Sequence, residues 1–387
     1  MQPLVSIITV NHNGASHLGN LFIRFLESIK KQTYKNIEII MVDNASKDDS
    51  INIAKAIIPY IKVIPLKENI GYAKAVNMGV LKSSGQILMI CNNDIILLEE
   101  SFVEKSIFTL LSIEKKYGNN YVIVCPLQIV GEGDRILGTK SIINLLGQAL
   151  YLDYRKSKKH FICVKERLAD YWDVAYPDGA CFIVGKDTIL KLGFLLNPFI
   201  FMYFDDVDLG IRLSLIGGKT FFAKDLFIYH RLAETSSKVL GLDKFIQFNV
   251  NRLLVLFSLL EPLQLLLLIP LLVVSDIGQL YFICLHLKNR RKDYVINVIF
   301  RYLTMLWNTM PKFRMMRSYY NSLKGSNERV KGIFRDYLLL PDWICKKIFS
   351  KKRNKLLFLT IVYILNAFAI VTRLKPIKKI ACIETLI

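Results

Sequence analysis

Two groups of residues in this chain could do chemistry. The first follows an apolar run, Ile87–Cys91, that reads as a buried strand; Asn92, Asn93 and Asp94 come directly after it. A carboxylate held that rigidly suits a metal ligand. Mg²⁺ or Mn²⁺ accepts few protein ligands and completes its shell with phosphate oxygens and water. His230 ends another apolar stretch, Leu226–Tyr229, and is a candidate second ligand; the plainer reading is a hydrogen-bonded core histidine. The second group is Asp205-Asp206-Val207-Asp208. Carboxylates this close repel one another unless a cation, a helix N-terminus or an arginine compensates. Leu209, Leu213 and Ile216 follow at helical spacing, so the cluster also reads as an acidic first turn. Phe199–Phe204 precedes it, and an apolar wall can lift a carboxyl pKa into the range of a general base. A metal facing a diphosphate and a base facing a hydroxyl would together serve group transfer from a diphosphate carrier.

The elements that must position these residues alternate in type. Val5–Val10, Glu38–Val42, Lys62–Pro65 and Ile87–Cys91 are short β-branched or apolar runs, expected as buried strands. Between them His17–Lys31, Ser50–Ile58 and Ala73–Lys82 carry apolar residues at helical spacing. This order implies an α/β fold with a mostly parallel sheet flanked by helices. Ligands of such sheets collect at the carboxyl ends of the strands. Asn11, then Asp43 and Asn44, then Asn92–Asp94 fall at those ends. Each alone is an ordinary cap or turn residue. Together they put amides and carboxylates on one rim.

Three longer motifs resemble the family 2 glycosyltransferases of GT-A fold, and most closely their rhamnosyltransferase-like and galactofuranosyltransferase-like members. They are Val5-Ser6-Ile7-Ile8-Thr9-Val10-Asn11-His12-Asn13, Val42-Asp43-Asn44-Ala45-Ser46-Lys47-Asp48, and Glu68 through Gly79. Asn92-Asn93-Asp94 then stands at the family's metal-binding D-x-D motif, and Tyr203–Leu209 at the acidic motif that carries its base. The resemblance implies that Thr9, Asn11, Asp43 and Asn44 line the nucleoside pocket. It places Asn69, Lys74, Asn77 and Asn93 against the nucleotide and its phosphates. Asp94 and His230 would hold Mg²⁺ or Mn²⁺, Asp206 would be the base, and Gly179 and Ala180 would lie beneath the acceptor. The implied donor is a nucleotide-diphosphate sugar. Three departures stand out: Asn92 replaces the first motif carboxylate, no Q-x-x-R-W follows the acidic cluster, and Asp178 precedes Gly179 where a small or neutral residue is expected.

Charge divides the chain. Residues 1–240 hold 28 Lys and Arg against 24 Asp and Glu, a net +4, whereas 241–387 hold 24 against 8, a net +16. The first part reads as a catalytic domain and the second as a basic, hydrophobic, helical membrane-associated region. Basic and greasy together favour an anionic membrane over nucleic acid. Residues 253–287 carry no Lys or Arg, and Pro270 and Gly278 are expected to break them into a re-entrant or in-plane pair. Tyr294–Met310 suits an interfacial helix, and Leu356–Thr372 is a second uncharged run. The expected location is the cytoplasmic face of a membrane, where the acceptor would be a lipid-linked glycan. Seven scattered cysteines without a C-x-x-C pair fit reduced thiols. Val5–Val10 is too short for a signal-peptide core. The alternatives are a catalytically inactive sugar-nucleotide-binding scaffold and a nucleotidyltransferase. The latter wants a basic, Gly-rich loop that Asn11-His12-Asn13-Gly14 does not supply. A dinucleotide oxidoreductase is disfavoured because no G-x-G-x-x-G follows the first strand.

Overall fold

A computed structural model describes the backbone of residues 2–118, 120–152, 156–157, 169–231, 241–286, 292–324, 333, 337–340 and 379–382. The chain forms two compact units. One takes in Met1–Ser141 and Tyr151–Lys238, the other Ile142–Leu150 and Val239–Leu386.

The first unit opens with β1 (Val5–Asn11), α1 (Gly14–Leu18), α2 (Asn20–Lys30), β2 (Ile37–Asp43), α3 (Ser50–Ile57), β3 (Lys62–Pro65), α4 (Tyr72–Leu81) and β4 (Ile87–Asn92). The four strands are parallel in the order β4-β1-β2-β3, as right-handed β-α-β crossovers require. The helix expected over His17–Lys31 is instead two helices. Gly19, at φ 54° and ψ −123°, breaks it where no L side chain would comfortably sit. Strand register matters for the site: Asn11 lies opposite Asp43, and Val10 lies opposite Asn92.

Beyond β4 the sheet becomes mixed. The elements are β5 (Ile95–Leu97), α5 (Phe102–Tyr117), β6 (Val122–Val130), β7 (Arg135–Ile136), β8 (Lys140–Ile143), β9 (Ala149–Leu152), β10 (Lys156–Ser157), β11 (Tyr171–Val174), β12 (Cys181–Gly185), α6 (Lys186–Leu192), α7 (Asp205–Leu215) and β13 (Lys219–His230). β12 runs antiparallel to both β4 and β6. β13 runs parallel to β6, but its register slips between Phe222, opposite Cys125, and Phe227, opposite Leu127. Pro126 sits at the slip. It has no N–H for the ladder, so the partner strand bulges around it. The bulge re-aims the end of β13 so that Ile228–His230 pair with β5, and His230 lands opposite Ile95, the neighbour of Asp94. The core between sheet and helices is apolar, with Ile7, Phe22, Phe25, Met41, Met89 and Phe221 among its buried members.

The second unit is helical: α8 (Gly241–Leu259), α9 (Pro262–His286) and α10 (Lys292–Leu323), with a parallel pair of short strands, β14 (Tyr337–Leu340) and β15 (Lys379–Cys382). The break falls between Leu259 and Pro262, not at Pro270, which lies inside α9. A buried polar knot joins the three helices. Arg252 donates to Asp276 and to the Leu146 carbonyl, and the Tyr302 hydroxyl donates to Asp276 Oδ2 at 2.7 Å. Large apolar residues remain exposed. Leu263, Leu266, Leu267, Val273 and Ile277 share one face of α9, and Phe300, Leu303, Trp307 and Met310 share one face of α10. Among the described residues no helix is long and apolar enough to cross a membrane. Most of Lys288–Lys292 and all of Leu356–Thr372 lie outside the described residues.

Candidate active site

The parallel strand ends build a hydrogen-bonded rim. The Asn11 amide donates to Asp43 Oδ1 at 2.9 Å and to Ser46 Oγ at 3.0 Å, while its carbonyl accepts from Asn93 Nδ2 at 2.9 Å. Asp43 is held further by the Ser46 N–H at 3.0 Å. One residue on, Asn44 donates to Asn69 Oδ1 at 2.8 Å and accepts from the Ile70 N–H at 3.0 Å. Asp43, Asn11, Asn93, Asn44 and Asn69 are thus one network from four loops. Lys74 stands exposed in the first turn of α4 beside it. Thr9 is different. It is buried two residues below Asn11 on β1, and its hydroxyl makes no hydrogen bond, so it underlies the rim and does not line it.

Asn77 also departs from expectation. Its amide donates to the Leu196 carbonyl at 2.6 Å and accepts from the Leu196 N–H at 3.0 Å. Both ends of the amide are engaged by the Leu196 backbone, so Asn77 has a structural role in holding that segment. One turn earlier, the Tyr72 N–H donates to the Phe201 carbonyl at 2.8 Å. That carbonyl lies 2.7 Å from where a Cβ on Gly71 would stand, and Gly71 has φ +87°, so only glycine fits. α4 therefore pins the 196–201 segment at two points. The segment ends in Tyr203 and Phe204, both with positive φ (66° and 70°), before α7 starts. Two successive left-handed residues cost about 1–2 kcal/mol each. They turn the chain sharply enough to aim the first carboxylates of α7 into the sheet.

The three aspartates of that turn differ in their surroundings. Asp208 is fully buried against Arg212, whose Nε donates to it at 2.5 Å, and Asn197 donates to its other oxygen at 3.0 Å. Asp205 is buried, and burial, followed by the charge of Asp208, pushes its carboxyl up to about 6. Asp206 is half-buried and accepts from the Val207 N–H at 2.8 Å. Burial, then the charges of Asp205 and Asp178, raise it well above the usual carboxylate range. Asp206 packs against Gly179, where an added Cβ would sit 3.4 Å from its carboxylate.

Asp94 and His230 meet as the bulged strand dictates. His230 Nδ1 faces Gln128 Oε1 at 2.6 Å. Nε2 lies 3.2 Å from Asp94 Oδ2, a spacing that either a proton on Nε2 or a cation between the two groups satisfies. Two ligands adjacent in an octahedral shell of about 2.1 Å bonds would lie about 3.0 Å apart. The pair therefore fits a divalent cation. Among the described residues no third His, Cys, Asp or Glu joins them, so phosphate oxygens and water would complete the shell.

Tyr72 was not anticipated. Its hydroxyl donates to Asn92 Oδ1 at 2.8 Å and approaches the Gly179 carbonyl at 3.4 Å, bridging the strand that carries Asp94 to the turn beneath Asp206. This accounts for Asn92 at the first motif position: it serves as an acceptor for Tyr72. Gln128 was also missed, although a lone amide inside the buried run Val122–Val130 was a visible signal.

The chain is similar in sequence to known proteins over the stretch that forms this rim. A sequence model described as Glycosyl transferase family 2 matches residues 6–183, the stretch that holds β1 to β12 and the rim. Glycosyltransferase GlyG of Streptococcus pneumoniae is 34% identical over 107 residues, 27% of this chain and 34% of the relative. N-acetylglucosaminyl-diphospho-decaprenol L-rhamnosyltransferase of Mycobacterium tuberculosis is 22% identical over 249 residues, 62% of this chain and 79% of the relative. The chain spans only about a third of the pneumococcal protein's length. A crystal structure of GalNAc-T7 with UDP, GalNAc and Mn2+ superposes at TM-score 0.49 and 15% identity, over 66% of this chain and 47% of that one. By sequence, then, residues 6–183 are similar to family 2 glycosyl transferases.

Proposed function

We propose that the protein is a metal-dependent glycosyltransferase of GT-A type that moves a sugar from a nucleotide diphosphate to a lipid-linked glycan, with inversion. The observation that carries this reading is the pairing of two sites on one sheet. Asp94 and His230 offer a divalent-cation pair, and Asp206 offers a proton acceptor on a glycine turn, with Tyr72 bridging their supports. The Asn11–Asp43–Asn44–Asn69 rim supplies donors and acceptors for a nucleoside. Asn93 and Lys74 are candidates for the phosphates. When bound, Mg²⁺ or Mn²⁺ neutralises charge on the departing diphosphate.

The protein's own residues do the rest. Asp206 takes the proton of the acceptor hydroxyl as that oxygen attacks the anomeric carbon, opposite the bond to the diphosphate. Its raised pKa makes it a better proton acceptor than an ordinary aspartate once it is ionised. Gly179 leaves room for the acceptor where any side chain would touch Asp206.

The lipid acceptor and the membrane rest on the second unit. Its net charge of +16 and the apolar faces of α9 and α10 suit an anionic lipid surface, with the helices lying in the interface. Nucleotide sugars are made in the cytoplasm, so the cytoplasmic face is the side proposed.

The experiment is turnover of UDP-, GDP- and dTDP-sugars with Mn²⁺ and a polyprenyl-diphosphate glycan, comparing wild type with Asp206→Asn. The variant should lose about 10²–10⁴ in rate and still show a thermal shift with the donor. Normal turnover by Asp206→Asn would remove the base assignment. Binding of no nucleotide sugar at all would remove the glycosyltransferase reading and favour the nucleotidyltransferase.

A further inference from the structure

A second carboxylate, Asp178, lies beside Asp206, and the proposed reaction makes no use of it. Asp178 is buried. Its Oδ2 accepts from the Tyr151 hydroxyl at 2.6 Å and its Oδ1 from the Ala180 N–H at 2.9 Å. An O–H···O contact of that length is typical of a hydroxyl donating to a charged carboxylate. Tyr151 can only be the donor there, because burial, then the charge of Asp178, push its phenol well above its ordinary value. Both oxygens of Asp178 thus accept a hydrogen bond, which fixes the orientation of the carboxyl group.

The next residue, Gly179, carries this arrangement to Asp206. Its amide faces the Asp206 carboxylate, and its Cα side is in contact with it. The groups that face Asp206 are Asp205 on α7, Asp178, Tyr72 on α4, Tyr151 on β9, Tyr176 and Cys125 on β6. Burial keeps the tyrosines and the cysteine neutral, so Asp178 is the neighbour outside α7 whose charge acts on Asp206.

We propose that Tyr151 and Asp178 are positioning residues for Asp206: the Tyr151 hydroxyl fixes the Asp178 carboxyl, and Asp178, through the Gly179 turn it anchors, sets the place of the Asp206 carboxylate and the surroundings it meets. A simple turn-forming role for Asp178, through its bond to the Ala180 N–H, would need neither the charge nor Tyr151. The proposal gains its consequence for rate from the reading of Asp206 as the base, but the proton affinity of Asp206 can be measured without turnover.

The test is a pH titration of the full chain labelled with ¹³C at the aspartate carboxyls, followed by NMR. The Asp206 resonance is assigned as the one missing from Asp206→Asn. In wild type it should titrate well above the ordinary carboxylate range. Asp178→Asn removes the charge, and the Asp206 midpoint should fall. Tyr151→Phe keeps the charge but removes the hydroxyl that holds it in place. The freed carboxylate changes position, and the Asp206 midpoint should move from its wild-type value. Tyr151→Phe deletes a single oxygen, so it preserves the test if Asp178→Asn does not fold. An Asp206 midpoint that stays in place in the folded variants overturns the proposal and leaves the base assignment intact. Normal sugar transfer by Asp206→Asn does the reverse.

Discussion

Of the three aspartates in the acidic turn, Asp208 should matter for folding and Asp206 for chemistry, and the two outcomes separate cleanly. Asp208 and Arg212 are one helical turn apart and both side chains are fully buried. Besides its bond to Asp208, Arg212 donates to the Phe194 carbonyl at 3.2 Å and to the Leu195 carbonyl at 2.7 Å, so the pair ties α7 to the loop before it. Asp208→Asn preserves shape but leaves a guanidinium buried without a counter-charge. Breaking a buried pair by removing one partner costs about 3–5 kcal/mol. A whole domain is stable by only about 5–15 kcal/mol. With a urea dependence of about 3 kcal/mol/M, the unfolding midpoint should fall by about 1–1.7 M. Asp206→Asn lies outside that pair and removes a carboxylate whose charge burial and its neighbours disfavour, so it should not lower the midpoint. Urea unfolding followed by far-UV circular dichroism reads both. Removing both charges, as Asp208→Asn with Arg212→Leu, should recover part of the loss. A midpoint for Asp208→Asn within 0.3 M of wild type, by that same conversion about 1 kcal/mol, would refute the account of the turn.

Asp205 has a folded pKa of about 6 against about 3.9 unfolded, so folding favours its neutral form. That preference is fully expressed below about pH 4 and lost as the pH rises through about 6, a penalty of about 3 kcal/mol at pH 7.5. Asp205→Asn should therefore raise the melting temperature at pH 7.5 and leave it nearly unchanged at pH 4; an equal effect at both would contradict the burial argument. Because Asp206 must be ionised to act, activity should fall on acidification well above pH 4, and Asp178→Asn should move that limb to lower pH. Mn²⁺ binding read by electron paramagnetic resonance should weaken sharply in Asp94→Ala and in His230→Ala, and excess EDTA should stop turnover; metal-free turnover at the full rate would exclude the proposed cation. Full-length protein should sediment with vesicles containing phosphatidylserine, and Leu266→Glu with Trp307→Glu should release it. Sedimentation unaffected by both changes would mean that α9 and α10 do not carry the contact.

The legible part of this protein was the part governed by local periodicity. Val5–Val10, Glu38–Val42 and Ile87–Cys91 are dense enough in β-branched and apolar residues to be strands in any context, and their polar ends follow from the parallel order. Gly19 was overlooked because one glycine inside a strong apolar helical pattern usually costs little. Here its backbone conformation splits the helix. Asn77 and Thr9 sit inside motifs that resemble a nucleotide site, yet Asn77 bonds distant backbone and the Thr9 hydroxyl is buried without a hydrogen bond. Nothing near Asn77 in sequence announces Leu196, 119 residues away. Tyr151 and Asp178 are 27 residues apart and meet only through the fold. In the second unit the pattern predicted helices, but Pro270 as a breaker misled, since a neighbouring chain break at Leu259–Pro262 already ends the first helix.

What the fold achieves is a division of labour within one sheet. The parallel half, β4-β1-β2-β3, brings amides and carboxylates to its carboxyl edge, because every crossover delivers the next strand end to the same side. The antiparallel strands cannot do this, and each chemically special residue there is placed by a local irregularity. His230 reaches Asp94 through the bulge opposite Pro126, and Asp206 reaches Gly179 through two left-handed residues. Those irregularities lower stability, and α4 offsets part of that by clamping the 196–201 segment through Asn77 and the Tyr72 amide. Tyr72 then does a second task with its hydroxyl, joining the mixed half to the parallel one at Asn92. On this argument Tyr72→Phe should leave nucleotide binding at the Asn11–Asp43 rim unchanged and reduce turnover, because it loosens the link between the two halves and touches neither.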